Sequence, residues 1–123
     1  MVYADDVVAA RRQPDQAVAR CGWPMEDHSV PGTTSYFKVG GSGWYHIPYG
    51  ALCSSSHGNL WSAGRLISSD SRAFASVRVM GTAFATGHAA GVGAAVRALG
   101  AATSFPQETA RVQAELRRQG ATI

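Results

Sequence analysis

The chain has 123 residues, 46% of them hydrophobic and 15% charged, which excludes an intrinsically disordered polypeptide and bounds it to one domain with a modest core. The charged share lies below the roughly one quarter usual for a free-standing domain, so part of the surface expects cover. Ten Arg and one Lys against 8 acidic residues give a net charge of +3, but the Arg run from Arg11 to Arg118 without an aromatic-studded cluster, which argues against nucleic acid as a partner.

Residues 4–20 have helical composition, with Asp5 or Asp6 as a cap, and Pro14 divides them into two predicted short helices, one on either side of Gln13. Gly22 and Pro24 end that segment. A loop rich in Gly, Ser, Thr and Pro over 28–43 contains a predicted strand at Tyr36–Val39, and Trp44–Ile47 reads as a second strand stopped by Pro48. The Gly-Gly-Ser-Gly run at 40–43 between them suggests a hairpin turn. Residues 53–58 form a polar turn, Leu60–Ala63 a strand ending at Gly64, and Ile67–Ser76 an irregular stretch. A long helix follows over 80–99, stopped by Gly100. After a turn at 101–105, Pro106 opens the last helix, in which Val112 and Leu116 share a face.

The two cysteines, Cys21 and Cys53, build no disulfide framework and no Cys-x-x-Cys pair. Two unpaired thiols in a reducing, cytoplasmic compartment are expected, with a single bridge as the alternative. Residues 1–10 carry Asp5 and Asp6 and no basic leader pattern.

The long helix poses the main question. Gly81, Gly87, Gly91 and Gly93 lie inside it, and each costs about 1 kcal/mol relative to Ala unless packing offsets it. Its hydropathy is too weak for a membrane span, since Thr86 and His88 interrupt it and it ends at Arg97. Two compatible readings remain. One is a helix wedged against a sheet; the other is a helix whose first turn faces an anionic or electron-rich ligand with free amides and a positive dipole end.

The stretches YHIPYGALC, NLWSAGRLIS, ASVRVMGTAFATGHAAGVGAA and VQAELRRQGA occur in this order over 45–121. Together with the opening ADDVVAARRQPDQAVARCGWPMEDH, they resemble the C-terminal portion of a family of bacterial FAD-dependent oxidoreductases with the glutathione-reductase type of flavin domain. The resemblance spans nearly the whole chain. It implies an α/β fold, namely the C-terminal fragment of a Rossmann-like FAD-binding domain with a few short strands, the long Ala/Gly-rich helix and the C-terminal helix. It also implies FAD as cofactor and a small organic molecule as substrate. By that resemblance Ala63, Gly64 and Arg65 approach the flavin from a strand end, and Val79, Met80, Gly81 and Thr82 present the helix start to its pyrimidine edge. The chain departs from the family at Ser71-Arg72, where a His-Glu pair is usual, and at Gly81 and His88, where Pro and Gln are.

Such a domain also needs a strand–turn–helix with G-x-G-x-x-G for the pyrophosphate, and this sequence has none. The expectation is therefore that 1–123 is an incomplete domain that works with a separate N-terminal flavin-binding half or by self-association. The catalytic candidates are His28, His46 and Tyr49, the histidines as proton carriers and Tyr49 as a hydrogen-bond partner for substrate or the residue that closes the hairpin. The His and Cys spacing fits no metal pattern, so no metal site is expected. His88 is expected to be a packed helix residue. The alternative function is a non-catalytic remnant or interaction module that keeps the shape and has lost the cofactor.

Overall fold

The computed structural model describes residues 1–100 and 103–123. Helix α1 (Ala4–Val8) leads to strand β1 (Ala17–Cys21), followed by β2 (Met25–Asp27), β3 (Ser35–Phe37) and β4 (Tyr45–Pro48). Strand β4 runs straight into a 3-10 turn at Tyr49–Ala51, and a second such turn, Gly64–Leu66, precedes helices α2 (Ser71–Val77), α3 (Met80–Ala98) and α4 (Phe105–Arg118). This is the expected α/β arrangement of short strands, a long Ala/Gly-rich helix and a C-terminal helix. The part of the expected turn at 101–102 lies outside the described residues.

The strands form two separate antiparallel ribbons, β1 with β4 and β2 with β3. Two expectations are corrected here. The second predicted N-terminal helix is instead β1: Ala17, Val18 and Ala19 are buried, and Arg20 and Cys21 pair with His46 and Tyr45 of β4. Tertiary pairing overrides the helical propensity of Ala and Arg there. The 40–43 run does turn, with the Gly43 amide donating to the Gly40 carbonyl at 3.0 Å, but β3 and β4 are not hairpin partners. Gly40 is needed for another reason, since a Cβ there would collide with the Val8 carbonyl at the end of α1.

Two more local readings change. Leu60–Ala63 is not a strand; one bridge joins Trp61 to Cys53. Most of Ile67–Ser76, read as irregular, is α2, whose N-cap Asp70 accepts from the Ala73 amide at 2.7 Å. The second Asp70 carboxylate oxygen accepts from the Ala4 amide at 2.8 Å, so one side chain serves the starts of both α1 and α2.

The core lies between α3 and the β1–β4 ribbon, with α4 closing one end. Val18, Ala19, Tyr45 and Ile47 of the ribbon share one buried cluster with Ala89, Val92 and Val96 of α3 and Val112 and Leu116 of α4. Gln113 of α4 holds the irregular entry to β1, donating to the Pro14 and Ala17 carbonyls at 2.7 and 2.8 Å. A buried polar group ties the helices together: Arg97 Nε and the Tyr49 hydroxyl each donate to Glu108 at 2.6 Å, and Trp61 Nε1 donates to the Tyr49 hydroxyl at 2.8 Å. Among the described residues no single helix is long and apolar enough to cross a membrane; α2 and α3 reach that length and composition only as a pair bent by 94°.

Candidate functional site

The start of α3 is the centre of the candidate site. Val79 precedes it in extended conformation and supplies no side-chain cap, so the first-turn amides lack protein partners of the usual kind. They open into a groove of about 510 Å³ lined by Arg20, Cys21, Gly22 and Trp23 on one side and Val79, Met80, Gly81 and Thr82 on the other. No acidic side chain lines it, and Gly81 adds open space, because a Cβ there would meet nothing within 4 Å.

Hydrogen bonds fix the depth of this helix start. The Thr82 hydroxyl donates to Cys21 Sγ at 3.2 Å, the Cys21 thiol lies 3.6 Å from Ser76 Oγ, and that hydroxyl lies 2.8 Å from the Tyr45 phenol and donates to the Trp23 carbonyl at 2.5 Å. Burial, with the neighbouring Cys21, pushes the Tyr45 phenol far above its ordinary pKa, so it stays protonated.

Gly64 meets the flank of the same helix. It has a φ of +59°, its amide donates to Thr86 Oγ1 at 2.9 Å, and a Cβ would stand 3.2 Å from that of Ala83. Its missing side chain thus permits close approach to α3 as well as the left-handed turn. Ala63 is half-buried beside it and Arg65 is exposed. The fold therefore gathers Ala63, Gly64, Arg65 and Val79–Thr82 around the first two turns of α3.

The three catalytic candidates do not converge on that groove. His28 is exposed after β2, its Nδ1 3.1 Å from the Thr34 hydroxyl. His46 is buried on β4, where Nδ1 accepts the Gln13 amide at 2.8 Å; burial, then Arg12 and Arg20, hold its pKa below the ordinary value. Tyr49 is wholly buried among Trp61, Glu108 and α3, and burial with the Glu108 hydrogen bond raises its pKa. His88, expected to be packed, is exposed and meets Gln119, the residue just after α4, at 2.5 Å. Cys21 is buried and Cys53 half-buried, and both are free thiols. Among the described residues no group of three His, Cys, Asp or Glu is placed to hold a metal.

Sequence reasoning missed Arg20–Trp23 as groove lining because it read their neighbourhood as helix. The available signal was the Gly-Trp-Pro break after a short apolar run, which marks a strand end as readily as a helix end.

The model of the FAD dependent oxidoreductase family matches residues 1–116. A match over nearly the whole chain makes this protein a member of the FAD-dependent oxidoreductases, and FAD is the cofactor of that family. No curated protein and no solved structure matches the chain.

Proposed function

We propose that this chain forms the flavin-facing C-terminal part of an FAD-dependent oxidoreductase of the glutathione-reductase type, and that the groove at the start of α3 takes the pyrimidine edge of the flavin. The observation that carries this reading is the uncapped start of a 19-residue helix opening into an acid-free groove. The residues fit the group. Electron density at that edge meets first-turn amides and the positive end of the helix, Gly81 leaves room for close approach, and the exposed Trp23 offers a flat apolar wall. When bound, FAD supplies a two-electron acceptor that takes a hydride from an organic substrate.

The chain's own part is to bind and polarise. The Thr82–Cys21–Ser76–Tyr45 hydrogen bonds hold the helix start against β1, so the amides need no rearrangement to meet negative charge. Gly64 and Arg65 lie along the flank of the same helix, where the cofactor's ribityl arm would leave the groove. The pyrophosphate needs a strand–G-x-G-x-x-G–helix that this sequence lacks, so we assign it to a separate polypeptide segment. That segment would cover the open face of α3, where Met80 and Phe84 are exposed and Gly87 and Gly91 meet nothing.

The test is reconstitution. The chain is mixed with a polypeptide carrying the dinucleotide-binding half of a member of the same family, and FAD retained through gel filtration is read from its visible spectrum. The reading predicts a yellow complex with wild-type chain and loss of colour with Gly81→Leu, whose added side chain has space in the fold but fills the groove. Equal FAD retention by the Gly81→Leu complex would rule out the groove as the flavin site.

A further inference from the structure

A second, smaller pocket lies between the β2–β3 ribbon and α2, and the flavin reading does not use it. Its volume is about 180 Å³, and it is lined by Met25 and Asp27 of β2, Phe37 of β3, and Ser71, Arg72 and Ala75 of α2, together with Ser29 from the loop after β2. It shares no lining residue with the groove at the start of α3. Its walls carry opposite charges on different elements. Asp27 accepts the Ser29 amide at 2.8 Å. Ser29, with Arg72 adding through space, holds the Asp27 carboxyl below its ordinary pKa, so it is ionised at neutral pH. Arg72 is placed by Phe37 instead, its guanidinium 5.0 Å from the ring centre.

The two charges face one pocket without joining. Among the described residues, Arg11, Arg97 and Arg118 each meet a carboxylate within ion-pair distance, whereas Arg72 meets none. The other charged groups nearby are engaged. Asp70 spends its oxygens on the Ala4 and Ala73 amides at 2.8 and 2.7 Å. Glu26 accepts the Tyr36 hydroxyl at 2.8 Å, with His28 Nε2 3.8 Å away, and Arg78 donates to the Glu26 carbonyl at 3.0 Å. A carboxylate has about four acceptor sites and a guanidinium five N–H donors, so both walls of the pocket keep bonding capacity. An exposed pair gains little by closing directly. A simple anion here would meet Asp27 and Asp70, and a simple cation would meet Arg72. A ligand with an ammonium and a carboxylate on one short frame satisfies both walls. Met25, which is fully buried, with Ala75 and Phe37, gives an apolar surface for a short side chain. The volume is roughly that of six water molecules, which suits a ligand of about six non-hydrogen atoms.

We propose that Asp27 and Arg72 form a binding site for a small α-amino acid zwitterion, of the size of alanine or serine, with the ammonium on Asp27 and the carboxylate on Arg72. The site differs from the flavin groove in every lining residue and is tested without flavin.

The experiment is a titration of the full chain with L-alanine at neutral pH and constant ionic strength, followed by ¹H–¹⁵N NMR, beside propionate, ethylamine and L-phenylalanine. Propionate and ethylamine each keep the short apolar body and one of the two charges. Phenylalanine keeps both charges and exceeds the volume. The expected result is saturable shifts with alanine at the Phe37, Ser71 and Arg72 amides and the Arg72 Nε–H, and binding about tenfold or more weaker for the other three, as loss of a charge-assisted hydrogen bond or of fit implies. Asp27→Asn, whose amide oxygen still accepts from Ser29, and Arg72→Gln should each weaken alanine binding by a similar factor. Arg117→Gln, an exposed arginine on α4, should leave it unchanged. The ligand series on wild-type chain keeps the test intact if a variant loses its spectral dispersion. No saturable response to alanine, an equal response to propionate or ethylamine, or unchanged alanine binding by Asp27→Asn would overturn the proposal.

Discussion

Tyr49 hydrogen-bonds twice in the interior, donating to Glu108 and accepting from Trp61, and its ring edge fills the space that Gly93 leaves. Removing that hydroxyl orphans the Trp61 N–H and one oxygen of a buried carboxylate. Tyr49→Phe should therefore lower stability by about 1–2 kcal/mol, read from the urea midpoint. Asp70 matters at the same scale. Burial raises its pKa, but the amides of Ala73, Ala4 and Arg72 outweigh it and the net shift is downward. A carboxylate whose folded pKa is depressed contributes stability above its unfolded pKa of about 4 and loses it as pH falls through the folded value. Asp70→Ala should cost about 1–2 kcal/mol at neutral pH and flatten the acid limb of the stability curve below about pH 4. An acid limb as steep as wild type would contradict this role. Tyr49's partners are not visible in the sequence, because Glu108 lies 59 positions away and only the packing of α4 on α3 brings it near.

At the scale of the element, α3 has two unlike faces. Thr82, Thr86, Ala89, Gly93 and Val96 follow helical spacing and are buried on the ribbon side, whereas Phe84, Gly87, Gly91 and Ala95 form an exposed stripe. The glycines thus differ in kind. A Cβ on Gly93 would stand 2.5 Å from the Tyr49 hydroxyl and 3.1 Å from Trp61 Nε1, while Gly87 and Gly91 have open space. Gly93→Ala should destabilise the chain by about 1–3 kcal/mol through overpacking. Gly87→Ala and Gly91→Ala should each stabilise it by about 0.5–1 kcal/mol by removing the helical cost of Gly. Thermal unfolding of the three variants checks both signs. The extents of α3 and α4 were legible because periodicity and a Gly or Pro boundary agree in each. Strand β1 was not, because Ala17, Ala19 and Arg20 favour helix locally and only the distant partner β4 makes them a strand. Helix α2 is not legible although its Asp70 cap stands in the sequence, since seven residues of Ser, Arg, Ala, Phe and Val show too little periodicity.

At the scale of the whole molecule, the low charged share and the exposed apolar stripe on α3 both support the proposal that a dinucleotide-binding half covers this face. Of the candidate site, Ala63–Arg65 and Val79–Thr82 were read from the sequence through family resemblance, and the fold gathers them about the start of α3. The opposite wall, Arg20–Trp23, is not legible there, because the strand that carries it has the composition of a helix. The catalytic candidates His28, His46 and Tyr49 came from residue chemistry alone, and the fold distributes them over three separate places. A titratable side chain announces its chemistry in sequence but not its direction, which the ribbon register and helix packing determine.

The most direct measurement is the amide NMR spectrum of isotope-labelled chain in complex with the dinucleotide-binding half, recorded before and after addition of FAD. The account predicts that the largest FAD-dependent shifts fall on Met80, Gly81 and Thr82, with smaller ones at Arg20–Trp23. A complex that takes up FAD while these signals stay in place, and others shift instead, would contradict it.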